Sequence, residues 1–140
     1  MGMKPEIKSK WTSALRSGDY KQTDGQLNNG EGLCCLGVLC EIAVQDGVIQ
    51  KTPPVADADE TLHSPGTVGY RSVLETGGTY TEYDILPEEV MVWAGLDSRN
   101  PPVQFRWDEE EETVTFVISD LNDDKRLTFP EIADVIEEQL

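Results

Sequence analysis

Apolar side chains recur in the first segment at Ile7, Trp11, Ala14 and Leu15. That i, i+4, i+7, i+8 spacing is one face of a helix and predicts helix over residues 5–17. Pro5 suits its first turn and Gly18 the position just past its end. Residues 19–31 follow as a loop rich in Asn, Gly and Asp. Residues 33–45 are apolar on nearly every face, from Leu33, Cys34 and Cys35 through Val38, Leu39 and Cys40 to Ile42, Ala43 and Val44. A helix of that kind belongs in the middle of a fold. Gly37 within it lets another backbone come close, at a cost of about 1 kcal/mol relative to alanine, and Gly47 ends it.

Residues 50–83 carry the weakest pattern. A polar, proline-containing connection begins at Lys51, and short extended pieces are expected around residues 68–73 and 79–83, punctuated by glycine. A third helix is predicted over 87–94, with Pro87 in its first turn and Glu88 and Glu89 complementing its dipole. Val90, Trp93 and Ala94 form its apolar stripe, and Gly95 stops it. Val103, Phe105 and Trp107 alternate with Gln104 and Arg106, the pattern of a half-buried strand. A second strand is expected over 113–118, across an acidic tip at 108–112. The last helix should run from Phe129 to about Glu138. Thr128 and Glu131 have capping-box spacing, Leu127 and Ile132 can staple its start, and Ile132, Ala133, Val135 and Ile136 form its buried face.

These elements predict an α+β fold in one domain spanning residues 1–140. About four helices should pack around the central Cys-rich helix, beside a small antiparallel sheet, with 50–83 as a long loop or irregular region. A chain of 140 residues is long enough to bury a substantial core. Trp11, Trp93 and Trp107 read as core or core-edge residues rather than a stacking platform.

Charge narrows the functional classes. The formal net charge is -16, from 27 acidic and 11 basic residues. A surface that grips DNA or RNA by its phosphates must be basic, so direct nucleic-acid binding is not expected. No apolar run approaches the ~20 residues of a membrane-spanning helix, and the first residues lack the apolar stretch of a secretory signal. A soluble, cytoplasmic protein is expected. The charge is also uneven. Residues 1–22 carry five basic and two acidic groups, whereas residues 108–140 carry twelve acidic and two basic. The acidic end serves solubility, engages a basic partner, or mimics nucleic acid.

Three constellations could carry chemistry. Asp120, Asn122, Asp124, Thr128 and Glu131 fall on ligand positions of a twelve-residue calcium loop. Against it, Lys125 stands where the sharp turn needs glycine, a strand is expected in place of the entering helix, and Thr128 and Glu131 are already explained as a helix cap. Cys34 or Cys35 at a helix start, with His63 as the only histidine, could form a Cys–His pair. The same three cysteines and His63 lack a usual zinc spacing. Cys34, Cys35 and Cys40 lie in one apolar run, which favours buried reduced thiols over a disulfide framework. No phosphate loop, dinucleotide fingerprint or nucleophile elbow is present. Neither enzymatic activity nor a cofactor is expected.

The motifs Trp11-x-x-Ala-Leu-Arg-Ser-Gly-x-Tyr-x-Gln22, Cys34-Cys-Leu-Gly-Val-Leu-Cys40, Leu86-Pro-x-x-Val-x-x-Trp-Ala-Gly-Leu96, Leu121-Asn-Asp and Phe129-x-x-Ile-Ala-Asp-x-Ile-Glu137 resemble a set of small accessory proteins of bacteriophage and prophage genomes. The resemblance skips roughly residues 46–84. It implies a phage-encoded protein in the host bacterial cytoplasm, and it carries over no catalytic residues. The expected role is a non-enzymatic binding protein that sequesters or inhibits a host defence or regulatory factor. Its contact is either the acidic end (Asp108, Glu109, Glu110, Glu111 and Glu112, with Asp120, Asp123 and Asp124) on a basic protein surface, or a pocket for a small anionic ligand near Arg16, Tyr20, Lys21 and Gln22. A calcium-binding module and a Cys–His enzyme stand as alternatives.

Overall fold

The structure is a computed structural model that describes residues 2–55, 65–72, 81–106, 110, 112–124 and 127–140. Helix α1 (Pro5–Ser17) forms as its periodicity predicts: Pro5 opens it, Gly18 closes it in the left-handed conformation at φ 79°, and Ile7, Trp11 and Leu15 are buried. Trp11 is wholly buried, and its Nε1 donates to the Cys35 carbonyl at 2.9 Å. The one polar atom of the ring is thereby satisfied, and α1 is tied to helix α2 (Cys35–Gln45). Eight of the eleven residues of α2 are buried, and only Gln45 at its end is exposed. A Cβ at Gly37 would run into the Leu27 carbonyl oxygen. The loop before α2 therefore lies directly on it, and Leu27 itself is fully buried.

The weakly patterned region contains a three-stranded antiparallel sheet in the order β1 (Ile49–Lys51), β2 (Tyr70–Ser72), β3 (Thr81–Glu82). The two expected extended pieces appear as β2 and β3. Strand β1 is an addition: its three residues are too few to show an alternation, and pairing with β2 holds them. Helix α3 (Glu88–Ala94) follows, closed by Gly95 at φ 78°. Strands β4 (Pro102–Phe105) and β5 (Val114–Val117) then pair antiparallel, Val103 opposite Phe116 and Gln104 opposite Thr115.

The main departure from expectation is helix α4 (Ile118–Asp123), in a stretch where the strand runs out into polar residues. Ser, Asp and Asn are poor helix formers in a helix interior, so local preference does not account for it. Tertiary contacts do. The Ile118 N–H donates to the Pro101 carbonyl at 2.9 Å and the Ser119 N–H to Asn100 Oδ1 at 3.1 Å. These satisfy first-turn donors that a helix start leaves without partners. Ile118, Leu121 and Asn122 then face inward at i, i+3 and i+4, all buried.

Helix α5 (Phe129–Gln139) carries the full capping box, with the Thr128 side chain accepting from the Glu131 N–H and Glu131 Oε1 accepting from the Thr128 N–H. The fold is thus α+β, with five helices among the described residues rather than four. Helix α2 is central and touches α1, α3, α4 and β1, but the principal partner of α5 is α1. Among the described residues, no helix is long and apolar enough to cross a membrane.

Gly37→Ala should cost at least about 3 kcal/mol despite the better helix propensity of alanine, because the obstacle is backbone rather than a movable side chain. A urea melt of the purified variant would show the loss as a lowered midpoint at unchanged slope.

Candidate functional site

Two side-chain amides sit where the loop after α1, the start of α2, helix α4 and the start of α5 converge. Asn122 is buried, and each of its amide atoms makes two bonds. Its Oδ1 accepts from Gln22 Nε2 at 2.9 Å and from the Cys35 N–H at 3.3 Å. Its Nδ2 donates to the Thr23 carbonyl and to Asp123 Oδ1, both at 2.8 Å. Gln22 Nε2 also donates to the Leu127 carbonyl at 2.7 Å, and Gln22 Oε1 accepts from the Phe129 N–H at 3.0 Å. Helix α2 has no cap from its own N-cap residue, Cys34. Asn122 reaches across to supply one.

This geometry corrects two readings of the sequence. Gln22 does not contribute an amide to a partner, because both of its polar atoms are committed inside the protein. Asn122 is not poised as a calcium ligand. Asp120 and Asn122 lie within α4 and Asp124 is its C-cap, so the calcium-like spacing begins inside a helix instead of a loop. Glu131 Oε1 accepts from both the N–H and the hydroxyl of Thr128. Among the described residues, no group of three or more His, Cys, Asp or Glu side chains could hold a metal ion. Lys125 lies outside the described residues.

The cysteines are free and buried. Burial pushes the Cys34 thiol up to about 12 from 9.0, with the Asp123 charge adding to it. Burial likewise raises Cys35 and Cys40. A nucleophilic cysteine needs a lowered value and access, and Cys34 and Cys35 have neither. Their imagined partner His63 lies outside the described residues. A further buried titratable group, Tyr70, donates its hydroxyl to Glu41 Oε2 at 2.8 Å and accepts from Asn28 Nδ2 at 3.2 Å. It fastens β2 to α2.

Of the residues expected around a small anion, Arg16 and Gln22 are committed to partners within the protein. Arg16 is turned to α5, where it pairs with Asp134 at 2.7 Å and Glu137 at 2.6 Å. Tyr20 packs half-buried against the core. The cleft formed by the Asn- and Gly-rich loop, of about 670 Å³, is lined by Asp24, Gln26, Asn29 and Glu31 among others, with two carboxylates and, among the described residues, no cation. The expected electrical poles also meet. Helices α1 and α5 pack side by side, and Arg16 of α1 pairs with Asp134 and Glu137 of α5.

The acidic face stands out instead. Glu131, Asp134, Glu137 and Glu138 of α5 are all exposed, and no basic residue lies in that helix. Beside it runs a groove of about 720 Å³ between α5 and the β4–β5 hairpin. Phe105, Leu127 and Val135 give it apolar lining, Glu131, Asp134 and Glu138 acidic lining, and Arg106 stands on the hairpin side. Glu110 and Glu112 of the hairpin tip are exposed, while Asp108, Glu109 and Glu111 lie outside the described residues. Sequence reading found the acidic end but missed the groove and the helix wall, because strand and helix are brought together only by folding.

A family model described as a domain of unknown function, DUF8296, matches residues 3–140. The chain belongs to this DUF8296 family. No curated protein and no solved structure matches it. The amide pair of this DUF8296 protein therefore has to be read from its own geometry.

Asn122→Ala strands the Cys35 N–H, the Thr23 carbonyl and one Gln22 donor, and should cost about 3 kcal/mol or more; thermal unfolding followed by circular dichroism checks it. The thiols make a separate prediction. A thiol raised in the folded state favours folding below its unfolded value, and that contribution is lost as pH rises from about 9 towards 12. Stability should fall across that window. Iodoacetamide at pH 8 should label the cysteines only in denaturant, and mass spectrometry of the labelled native protein decides it.

Proposed function

We propose that this DUF8296 protein is a non-enzymatic binding protein whose acidic α5 face receives a basic surface of a protein partner. One observation carries the reading: the last turn of α5 holds Glu137 and Glu138 and no basic residue. The carbonyl end of a helix is already negative, so each carboxylate there costs about 0.3–1 kcal/mol. Arg16 relieves Glu137. Glu138 has no ion-pair partner among the described residues, and it borders the groove. A helix built for stability would carry lysine there. Charge kept at that cost, beside a groove with apolar lining, fits a surface whose counter-charge arrives with a partner.

The resemblance to phage and prophage accessory proteins supports a host defence or regulatory factor as the target, and a cytoplasmic setting. The buried, alkaline-shifted thiols and the structural use of Asn122 and Glu131 favour binding over either alternative chemistry.

Capture of a partner from host lysate by the tagged protein should weaken steeply between low and high salt. Glu138→Lys separates function from folding. It should weaken capture while leaving thermal stability unchanged or raised by about 0.3–1 kcal/mol. Capture indifferent to salt and to Glu138→Lys would sink the reading.

A further inference from the structure

The hairpin edge that faces α5 is occupied by a side chain in an unusual way. The Gln104 N–H donates to Gln139 Oε1 at 2.7 Å, and Gln139 Nε2 donates to the Gln104 carbonyl at 2.6 Å. These are the two bonds that a residue of an adjoining antiparallel strand exchanges with its opposite number. The primary amide of Gln139 stands where the backbone of a third strand would. Register agrees. Gln104 is paired with Thr115 but turns its own N–H and carbonyl outward, so the bonds that hold the hairpin fall at Val103–Phe116 and Phe105–Val114.

Alongside that edge lies the groove of about 720 Å³, with α5 as its far wall. A strand edge on one side, a helix on the other and apolar lining from Phe105 and Val135 between them make the setting in which extended peptides add to a sheet. The charge on the wall selects the peptide. Glu131, Asp134 and Glu138 stand against the single cation Arg106 among the described residues that line the groove.

We propose that this groove takes an extended, lysine- or arginine-rich segment of a partner protein, which adds to β4 as a strand by displacing the Gln139 amide. The proposal rests on the acidic-face reading and adds to it the conformation of the ligand and the main-chain groups that hold it. In an added strand, side chains alternate between the two faces. One set brings cations to the carboxylates of α5, while the other lies on the apolar lining. Gln139 keeps the edge satisfied until the ligand arrives, which also hides it from unwanted strand pairing.

The test uses calorimetric titration of the full chain with an alternating lysine–valine peptide of about eight residues, long enough to span the groove as a strand. Two analogues carry the same side chains and charge, one N-methylated at every lysine and the other at every valine. Only one parity of a strand's N–H groups faces its neighbour, so one analogue should lose about tenfold or more in affinity while the other binds within about threefold of the parent. Gln139→Ala should bind the parent about fivefold more tightly, since a competing hydrogen-bonded group is gone. Because the analogues are compared on the unaltered protein, the result does not depend on how the variant folds. Equal binding of all three peptides, or no binding of the parent, overturns strand addition. If lysate capture is nevertheless salt-sensitive, the acidic-face reading stands alone; if capture is salt-insensitive too, both fall together.

Discussion

The fold depends on one buried carboxamide. Asn122 accepts and donates four hydrogen bonds, and it reaches the start of α2 directly and the start of α5 through Gln22. Helix starts leave N–H groups without partners, and burying them that way is costly. Here the donors of Cys35 and Phe129 are met by side chains distant in sequence instead of by their own N-caps. Secondary and tertiary structure are thereby coupled: the first N–H of α2 is satisfied by a side chain of α4, and α4 is itself held at its start by the segment at residues 100–101. The close approach of Leu27 to Gly37 belongs to the same arrangement, since it seats the loop that carries Gln22.

Around that hub the molecule divides its polar residues by purpose. Buried groups such as Tyr70 and Asn122 are used up internally. On α5, Glu131 caps its own helix and Asp134 and Glu137 pair with Arg16 at the surface, which leaves Glu138 without an ion-pair partner among the described residues. Exposed pairs of that kind contribute little to stability and are screened by salt. Burial does more: α1 packs against α5, and Ile7, Trp11 and Leu15 of α1 and Ile132 and Ile136 of α5 are all buried in the one core. The same helix thus buries one face in the core and turns an acidic face to the groove.

Residues of one type serve opposite ends according to place. Gln22 and Gln139 both mimic backbone groups, yet the first does so in the interior and the second at an exposed sheet edge. Cys34 and Cys35 stand at a helix start, where a thiol is activated when solvent can reach it. Here the core closes over them, and desolvation outweighs any help from the helix.

Local patterns in the chain were enough to predict α1, α2, α3, the β4–β5 hairpin and α5. Each is written in local terms: apolar spacing, Pro5 and Gly18 at the ends of α1, Thr128 and Glu131 at the start of α5. The acidic character of the last third was equally plain. Tertiary structure alone decided β1, α4, the roles of Gln22 and Asn122, and the groove. Strand β1 is too short to show a period, and α4 is made of residues that disfavour helix until Pro101 and Asn100 satisfy its first donors. The calcium-like spacing at 120–131 stayed only an alternative because the same Asp, Asn, Thr and Glu that ligate metal also cap helices and bridge backbones. Spacing along the chain cannot separate those uses; the partner atoms do, and those of Asn122 come from residues as far as 100 positions away.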